Sequence, residues 1–252
     1  MIRFGDQSTY QNHYLGQAWK IINPILQMAV YFVLFGLGLR GSAQLGTEHT
    51  GTFAVWLMGG MALFFYIQQG VLKGSSSIRS QVGLVSRMKF PLSVIPTIAI
   101  LSNVWTFIVL WGLAFCAAGY FHFAVHINIL GIIYVLIATH MFIYAMALLF
   151  STIEVLVPDV SALVTFVMRI NMFMSGVIIK IDDLHNIVGS FLRLNPIYYL
   201  ISIFRSFYME KVTFLEIIGQ PVTIIFWTIT IMMWMIGAHL HDKFKQSFVE
   251  YI

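Results

Sequence analysis

The chain has 252 residues, of which 59% are apolar and only 10% are charged, and its net charge is +4. A soluble domain carries about 25% charged residues, so this composition excludes an ordinary water-soluble globular fold. The single cysteine, Cys116, excludes an internal disulfide and a cysteine-rich metal site. The basic residues form no block of the kind that binds nucleic acid. Together with a mean hydropathy of +0.86, these features predict an integral membrane protein.

The N-terminal segment, residues 1–22, is predicted to form an amphipathic helix in the membrane interface. It lacks the apolar core of a signal peptide. In a helix, the apolar side chains of this segment share one face: Tyr14, Leu15, Ala18, Trp19 and Ile22. Tyr14 and Trp19 would lie at headgroup depth, and Lys20 would reach outward. Asn23 is predicted to cap the first span and Pro24 to fit its first turn. The alternative for residues 1–22 is an ordinary anchor helix that merely precedes a span.

Six apolar runs are long enough to predict membrane-spanning helices. They cover residues 24–39, 53–72, 91–121, 127–150, 160–179 and 217–240. Residues 182–214, between the last two runs, contain two shorter apolar pieces that Arg193, Asn195 and Pro196 separate. We expect two short external re-entrant helices there, at about residues 187–192 and 197–207, with a single seventh span as the alternative. The predicted fold class is an all-α integral membrane protein with six transmembrane helices in one domain, residues 1–252.

The distribution of Lys and Arg predicts that both termini are cytoplasmic. Eight such residues fall on the side of the termini and five on the other side. The clearest signal is the loop at residues 73–90, which has four cations and no acid: Lys73, Arg79, Arg87 and Lys89. Short basic loops of this kind stay in the cytoplasm.

The sequence contains no motif for catalysis or for ATP binding. In VLKGSSSIRS, the glycine and lysine stand in the wrong order for a phosphate-binding loop. The acidic pair Asp182 and Asp183 lacks the other residues of a metal–diphosphate site. We therefore predict no catalytic residue, no metal site and no cofactor bound by this chain.

Ionisable side chains inside predicted spans are candidates for function. Arg169 lies midway along the fifth span, where a charge is costly, so it lines a polar translocation path or pairs with another helix. His140, in the fourth span, is a weaker candidate because one hydrogen bond satisfies a neutral histidine. Glu154 and Asp159 are predicted to flank the start of the fifth span, where Asp159 favours the helix N-terminus electrostatically.

Several short motifs resemble those of ABC-2 type membrane subunits that export polysaccharides. YLGQAWKIINPILQMAVYFVLFGLGLRG is similar to the start of that family, and its matching residues are Leu15, Gly16, Trp19, Asn23 and Pro24. LVSRMKFPLSVIP, residues 84–96, resembles the family's first cytoplasmic loop. VPDVSALVTFVMRINMFMSGVI resembles its fifth span, although the family often has Arg-Asp where this chain has Pro158 and Asp159. LNPIYYLISIFRSF resembles its external segment, with Asn195 and Pro196 in place.

The resemblance covers essentially the whole chain in order and implies a transporter permease. Residues 35–41, FGLGLRG, look most like the teichoic acid translocation permeases of Gram-positive bacteria, although O-antigen and capsule exporters share most of the motifs. The family implies a homodimer in the bacterial cell membrane with two copies of a separate ATPase subunit, which holds the ATP and Mg. The implied substrate is a lipid-linked polymer, wall teichoic acid in the first place and O-antigen or capsular polysaccharide as the alternative.

A substrate path and a coupling element follow from this resemblance. The expected path residues are Tyr14, Trp19, Lys20, Tyr31, Tyr66, Tyr144 and Arg169. Lys20 and Arg169 would meet phosphate groups, and the tyrosine hydroxyls inside spans need partners. Residues 77–90 would dock on the ATPase through Val85, Arg87, Met88, Lys89 and Phe90, with a plain topogenic loop as the alternative.

Two other functions remain open at the level of the sequence. A membrane enzyme acting on polyprenyl-linked sugars would need converging acidic or histidine residues, and none converge in the sequence. An ABC-2 exporter of small hydrophobic drugs usually has a larger external domain, whereas the loop at residues 39–52 is short.

Overall fold

The structure is a computed structural model that describes residues 18–38, 47–80 and 94–244. Within these ranges the secondary structure is helical and contains no strand. The α-helices are α1 Trp19–Tyr31, α2 Thr47–Ser75, α3 Val94–Leu101, α4 Val104–Tyr120, α5 Ile129–Leu156, α6 Val160–Met174, α7 Ile187–Arg193, α8 Pro196–Met209, α9 Phe214–Ile218 and α10 Pro221–Phe244. A π-helix, Phe32–Gly38, continues α1, and a 3-10 turn, Ile181–Asp183, precedes α7.

Helix α2 forms the centre of the bundle. It packs against α3, α4, α5 and α8, while α10 packs along α5. Residues 53–67 of α2 are almost all buried, because this helix is apolar around its whole circumference. The all-α membrane architecture predicted from the sequence is confirmed.

Five of the described helical segments are long and apolar enough to cross a bilayer. They are Trp19–Gly36, Gly51–Ser75, Ile95–Tyr120, Ile129–Leu156 and Pro221–Phe244. The predicted fifth span is shorter, because α6 has 15 residues. Its predicted end at residue 179 is wrong: the helix ends before Gly176, whose φ of +71° is a left-handed conformation that glycine adopts at low cost.

The predicted boundary between the interface helix and the first span is also wrong. Helix α1 begins at Trp19 and continues through Asn23 and Pro24. Pro24 removes one backbone hydrogen bond, but its fixed φ is compatible with a helix, and proline is tolerated in membrane helices. Residues 1–17 of the predicted interface helix lie outside the described residues.

Other helix ends differ from the sequence prediction for local reasons. The third span is interrupted at Ser102 and Asn103, between α3 and α4. The fourth span continues to Leu156, so Glu154 does not flank the fifth span but lies inside α5, 2% exposed. The last span begins at Pro221, and the residues before it form the separate helix α9.

The two short helices predicted between spans five and six are present as α7 and α8. The Asn186 side chain caps α7 by accepting from Gly189 N at 2.8 Å. The Asn195 side chain caps α8 by accepting from Ile197 N at 3.0 Å, and Pro196 occupies its first turn. The two helices are bent by 79°, so they do not form one straight seventh span.

Candidate functional site

A polar cavity lies where one face each of α1, α2 and α4 meet. Its volume is about 100 Å³. The residues that line it are Trp19, Lys20, Asn23, Pro24, Phe65, Tyr66, Gln69, Lys73, Asn103, Thr106, Phe107 and Leu110. Each helix contributes residues spaced three or four apart, so one stripe of each helix faces the cavity.

The charged side chains among the described lining residues of this cavity are both cations. Lys20 and Lys73 both line it, and the described lining residues include no carboxylate. The Lys73 ammonium donates to Asn103 Oδ1 at 2.7 Å, and the Asn103 amide donates to Ala99 O at 3.2 Å. These two bonds fix the position of the Lys73 charge. Two ammonium groups in a partly enclosed cavity suit a phosphate or diphosphate group.

Tyr66, which lines the cavity, is hydrogen-bonded to His140 inside the bundle. The Tyr66 hydroxyl lies 2.6 Å from His140 Nε2, and His140 Nδ1 lies 2.7 Å from Leu136 O. A carbonyl oxygen only accepts, so Nδ1 carries the hydrogen and Nε2 accepts from Tyr66. The pair therefore satisfies the Tyr66 hydroxyl and positions the His140 ring, which gives His140 a structural role.

Aromatic rings complete the cavity. The Tyr66 ring packs on the Phe107 ring, with 5.4 Å between their centroids. Trp19 is half-buried at the rim. Its apolar ring and its N–H suit the boundary between hydrocarbon and headgroups.

Among the described residues, the other predicted path residues do not line this cavity. Tyr31 is half-buried and stacks on Phe35, with 6.2 Å between ring centroids. Tyr144 packs against the apolar core, also half-buried. Arg169 is exposed on α6, away from Lys20. Of the predicted path residues that the structure describes, only Trp19, Lys20 and Tyr66 come together.

Several predicted residues lie outside the part of the chain that the structure describes. They are Tyr14, Leu15 and Gly16 of the interface helix and Val85, Arg87, Met88, Lys89 and Phe90 of the coupling segment. Residues 77–80, the first residues of the predicted coupling segment 77–90, are helical, and Ser77 and Ile78 are buried.

The remaining motif residues have local structural roles. Asn23 and Pro24 line the cavity from α1. Asp159 is exposed at the N-cap position of α6, where its charge favours the helix electrostatically. The Asn195 amide donates to Asn171 Oδ1 at 2.8 Å, so it joins α8 to α6 in addition to capping α8.

Sequence reasoning missed the four other polar residues of the cavity: Gln69, Lys73, Asn103 and Thr106. In the sequence, Lys73 is one of the four cations of the loop at residues 73–90, which predicts its position but no ligand contact. A signal was available, because Tyr66, Gln69 and Lys73 recur on one face of an otherwise apolar helix. The helix break that exposes Asn103 had no comparable signal.

Among the described residues, no group of three or more His, Cys, Asp or Glu side chains lies close enough to hold a metal ion. The cavity can therefore be described by its ammonium, amide, hydroxyl and aromatic groups alone. Such groups are chemically suited to an anionic headgroup beside an apolar tail.

The fold is that of a multi-pass membrane protein. The model of the ABC-2 type transporter family matches residues 1–209. The chain therefore belongs to the ABC-2 type transporter family.

Two relatives are O-antigen export system permease proteins named RfbA. The chain is 22% identical to the one from Klebsiella pneumoniae over 250 residues, 96% of this chain and 89% of the relative. It is 26% identical to the one from Myxococcus xanthus over 102 residues, 40% of this chain and 36% of the relative. The second match thus spans about a third of that relative's length.

Proposed function

We propose that this chain is the membrane subunit of an ATP-driven exporter that moves a lipid-linked polysaccharide out of the cytoplasm. The observation that carries the proposal is the cavity containing Lys20 and Lys73, in a chain of the ABC-2 type transporter family. A polymer assembled on a polyprenyl carrier presents a diphosphate next to a lipid tail. Two ammonium groups beside Trp19 suit that combination.

The proposed substrate is a glycan of the O-antigen or capsular type. The named relatives belong to O-antigen export systems, and one of them aligns over 96% of this chain. The teichoic acid interpretation rested on residues 35–41, and no relative named here supports it. The comparisons therefore favour the alternative substrate over the one first expected.

The proposed assembly is a homodimer with two copies of an ATPase subunit. Support for a second copy comes from Arg169, which is exposed on α6 among exposed apolar side chains: Leu163, Phe166, Val167, Ile170 and Phe173. An arginine that faces lipid at that depth is costly. A second copy, or a water-filled path between two copies, would remove Arg169 from lipid.

The ATPase would transmit force through the loop at residues 73–90, with both termini in the cytoplasm. The chain has no phosphate-binding loop of its own. The described beginning of this loop is anchored, because Ile78 packs with Val155 of α5 and Phe244 of α10. Force applied to the loop would therefore be transmitted to α5 and α10 through this contact.

The test is ATP-dependent transport by the purified chain and its ATPase subunit in proteoliposomes. The proposal predicts translocation of a lipid-linked O-antigen or capsular glycan and little translocation of a lipid-linked teichoic acid. Transport of teichoic acid alone would reverse the substrate assignment. Modification of a polyprenyl-linked sugar without any ATPase would support a membrane enzyme instead.

A further inference from the structure

A second, larger cavity lies near the opposite end of α2 from the cationic cavity. On α2, Trp56 borders the second cavity, and Phe65, the nearest residue that borders the first, lies nine positions further along, which corresponds to about 14 Å. The volume of the second cavity is about 460 Å³. It is lined by Thr52, Trp56, Phe123, Gly176, Lys180, Ile181, Asp183, Tyr198, Ser202, Arg205, Ser206, Met209 and Glu210.

One wall of this cavity is fixed by Arg205, which is only 7% exposed. Its Nε donates to Trp56 O at 3.0 Å, and its two terminal nitrogens donate to Gly176 O at 2.7 Å and Val177 O at 2.9 Å. The guanidinium carbon lies 3.5 Å from the Trp56 ring centroid. These contacts tie α8 to α2 and to the segment after α6, so the cavity is held open by a rigid support.

Helix α8 presents a polar stripe to the cavity. Tyr198, Ser202, Arg205 and Ser206 recur at helical spacing on that side. The opposite side is apolar and buried, with Leu200, Ile203, Phe204 and Phe207. The amphipathic character of α8 is therefore explained by this cavity.

The hydroxyls of Ser202 and Ser206 differ from most other helical hydroxyls in the described residues. Most serines and threonines within the described helices donate to a carbonyl three or four residues earlier, as Thr152 does to Leu148 O and Thr230 to Phe226 O. Within the described residues, neither Ser202 nor Ser206 makes a side-chain hydrogen bond. Both are half-buried and line the cavity, so their hydroxyls are available to a ligand.

The charges around the cavity balance. Two cations line it, Lys180 and Arg205. Two carboxylates line it as well, those of Asp183 and Glu210. A balanced set of donors and acceptors does not select a phosphate or a cation, whereas it matches the hydroxyls of a sugar, each of which donates and accepts. A volume of several hundred Å³ is typical of a small-molecule site.

We propose that this cavity is a saccharide-binding site within one subunit, separate from the cationic cavity that would hold the lipid diphosphate. It would take neutral sugar units of the polymer, through Ser202, Ser206 and the two carboxylates. This inference rests on the proposed function, because it assumes that the transported polymer is a glycan.

The test uses glycan that mild acid releases from the lipid-linked fraction of a strain carrying this gene. Removing the lipid diphosphate separates sugar binding at this cavity from headgroup binding at the other. Binding to the purified complex with its ATPase subunit is measured by saturation-transfer difference NMR and by titration. The variants are the double substitution Ser202→Ala and Ser206→Ala, Asp183→Asn as an independent second variant, and Ser190→Ala as the control, since Ser190 is exposed on α7 and does not line the cavity.

The proposal predicts that the unmodified complex binds the free glycan. Loss of two hydroxyl contacts weakens binding about tenfold or more, and Asp183→Asn also weakens it, while Ser190→Ala does not. Equal binding by all variants would overturn the site. A complex that exports the lipid-linked glycan but does not bind the free glycan would overturn the inference and leave the proposed function standing. A complex that exports no glycan at all would overturn the proposed function itself, and this inference with it.

Discussion

The hydroxyl of Tyr66 and the Nε2 atom of His140 are joined by a hydrogen bond of 2.6 Å between α2 and α5. His140 Nδ1 donates to Leu136 O, so the two bonds together satisfy both ring nitrogens. A polar contact inside the bundle thus positions the tyrosine ring that lines the cationic cavity. The relationship shows how a side chain predicted to contact substrate is held in place by its structural partner.

Substituting Tyr66→Phe removes that hydroxyl and leaves His140 Nε2 without its donor. We expect a loss of about 1 kcal/mol in stability, the usual size of an interhelical hydrogen bond in a membrane protein. The measurement is a double-mutant cycle with His140→Leu, from unfolding of the purified chain in detergent. Strictly additive effects of the two substitutions would contradict the pairing.

Gly60 provides the space that Arg205 occupies. A Cβ at position 60 would collide with the Arg205 guanidinium, which cannot turn aside because Val177 O holds its Nη2. We expect Gly60→Ala to destabilise the chain by roughly 1–3 kcal/mol. At Gly112 of α4 there is no neighbouring atom within 4 Å of an added Cβ. The matched variant Gly112→Ala is therefore neutral or slightly stabilising in the same thermal unfolding experiment.

Replacing Arg205 by lysine should also be destabilising, although the charge is kept. A lysine cannot bond three carbonyls and cover the Trp56 ring at once. We expect a loss of about 3 kcal/mol, measured by unfolding of the purified protein, together with a change in tryptophan fluorescence. Lys180→Gln, at an exposed position on the same cavity, is the control and should stay within about 0.5 kcal/mol of the unmodified chain. Equal stability of the Arg205 and Lys180 variants would show that the carbonyl contacts contribute little.

A second copy on the exposed face of α6 can be detected by cysteine crosslinking. The background is Cys116→Ser, because Cys116 is exposed. Single cysteines are placed in turn at Leu163, Phe166 and Ile170. We expect at least one of these variants to form a crosslink between two copies in native membranes. Ile133→Cys, on the exposed face of α5, is the control position, where no crosslink is expected. Crosslinking at position 133 with none on α6 would place the interface elsewhere.

The architecture was largely predictable, since long apolar runs determine membrane helices with little help from tertiary contacts. The ends of the helices were less predictable than the architecture. Helix α6 is shorter than predicted because it ends before the left-handed Gly176, and α1 contains Pro24 in its interior. The cavity was predictable only in part. Trp19, Lys20 and Tyr66 were expected near substrate, but the juxtaposition of Lys20 with Lys73 depends on how α1 crosses α2. The polar stripe of α8 is visible in the sequence, whereas the carbonyls that receive Arg205 are brought together only by the fold.

We propose that Lys20 and Lys73 hold the lipid diphosphate of the substrate. The most direct test is ATP-driven export through the reconstituted complex after the double substitution Lys20→Gln and Lys73→Gln. The matched control is Lys211→Gln, at an exposed lysine outside the cationic cavity. If the two ammonium groups hold the lipid diphosphate, the double variant exports lipid-linked glycan at least about tenfold more slowly, with normal assembly with the ATPase, and the control exports normally. Export by the double variant at the rate of the unmodified complex would contradict the assignment of this cavity.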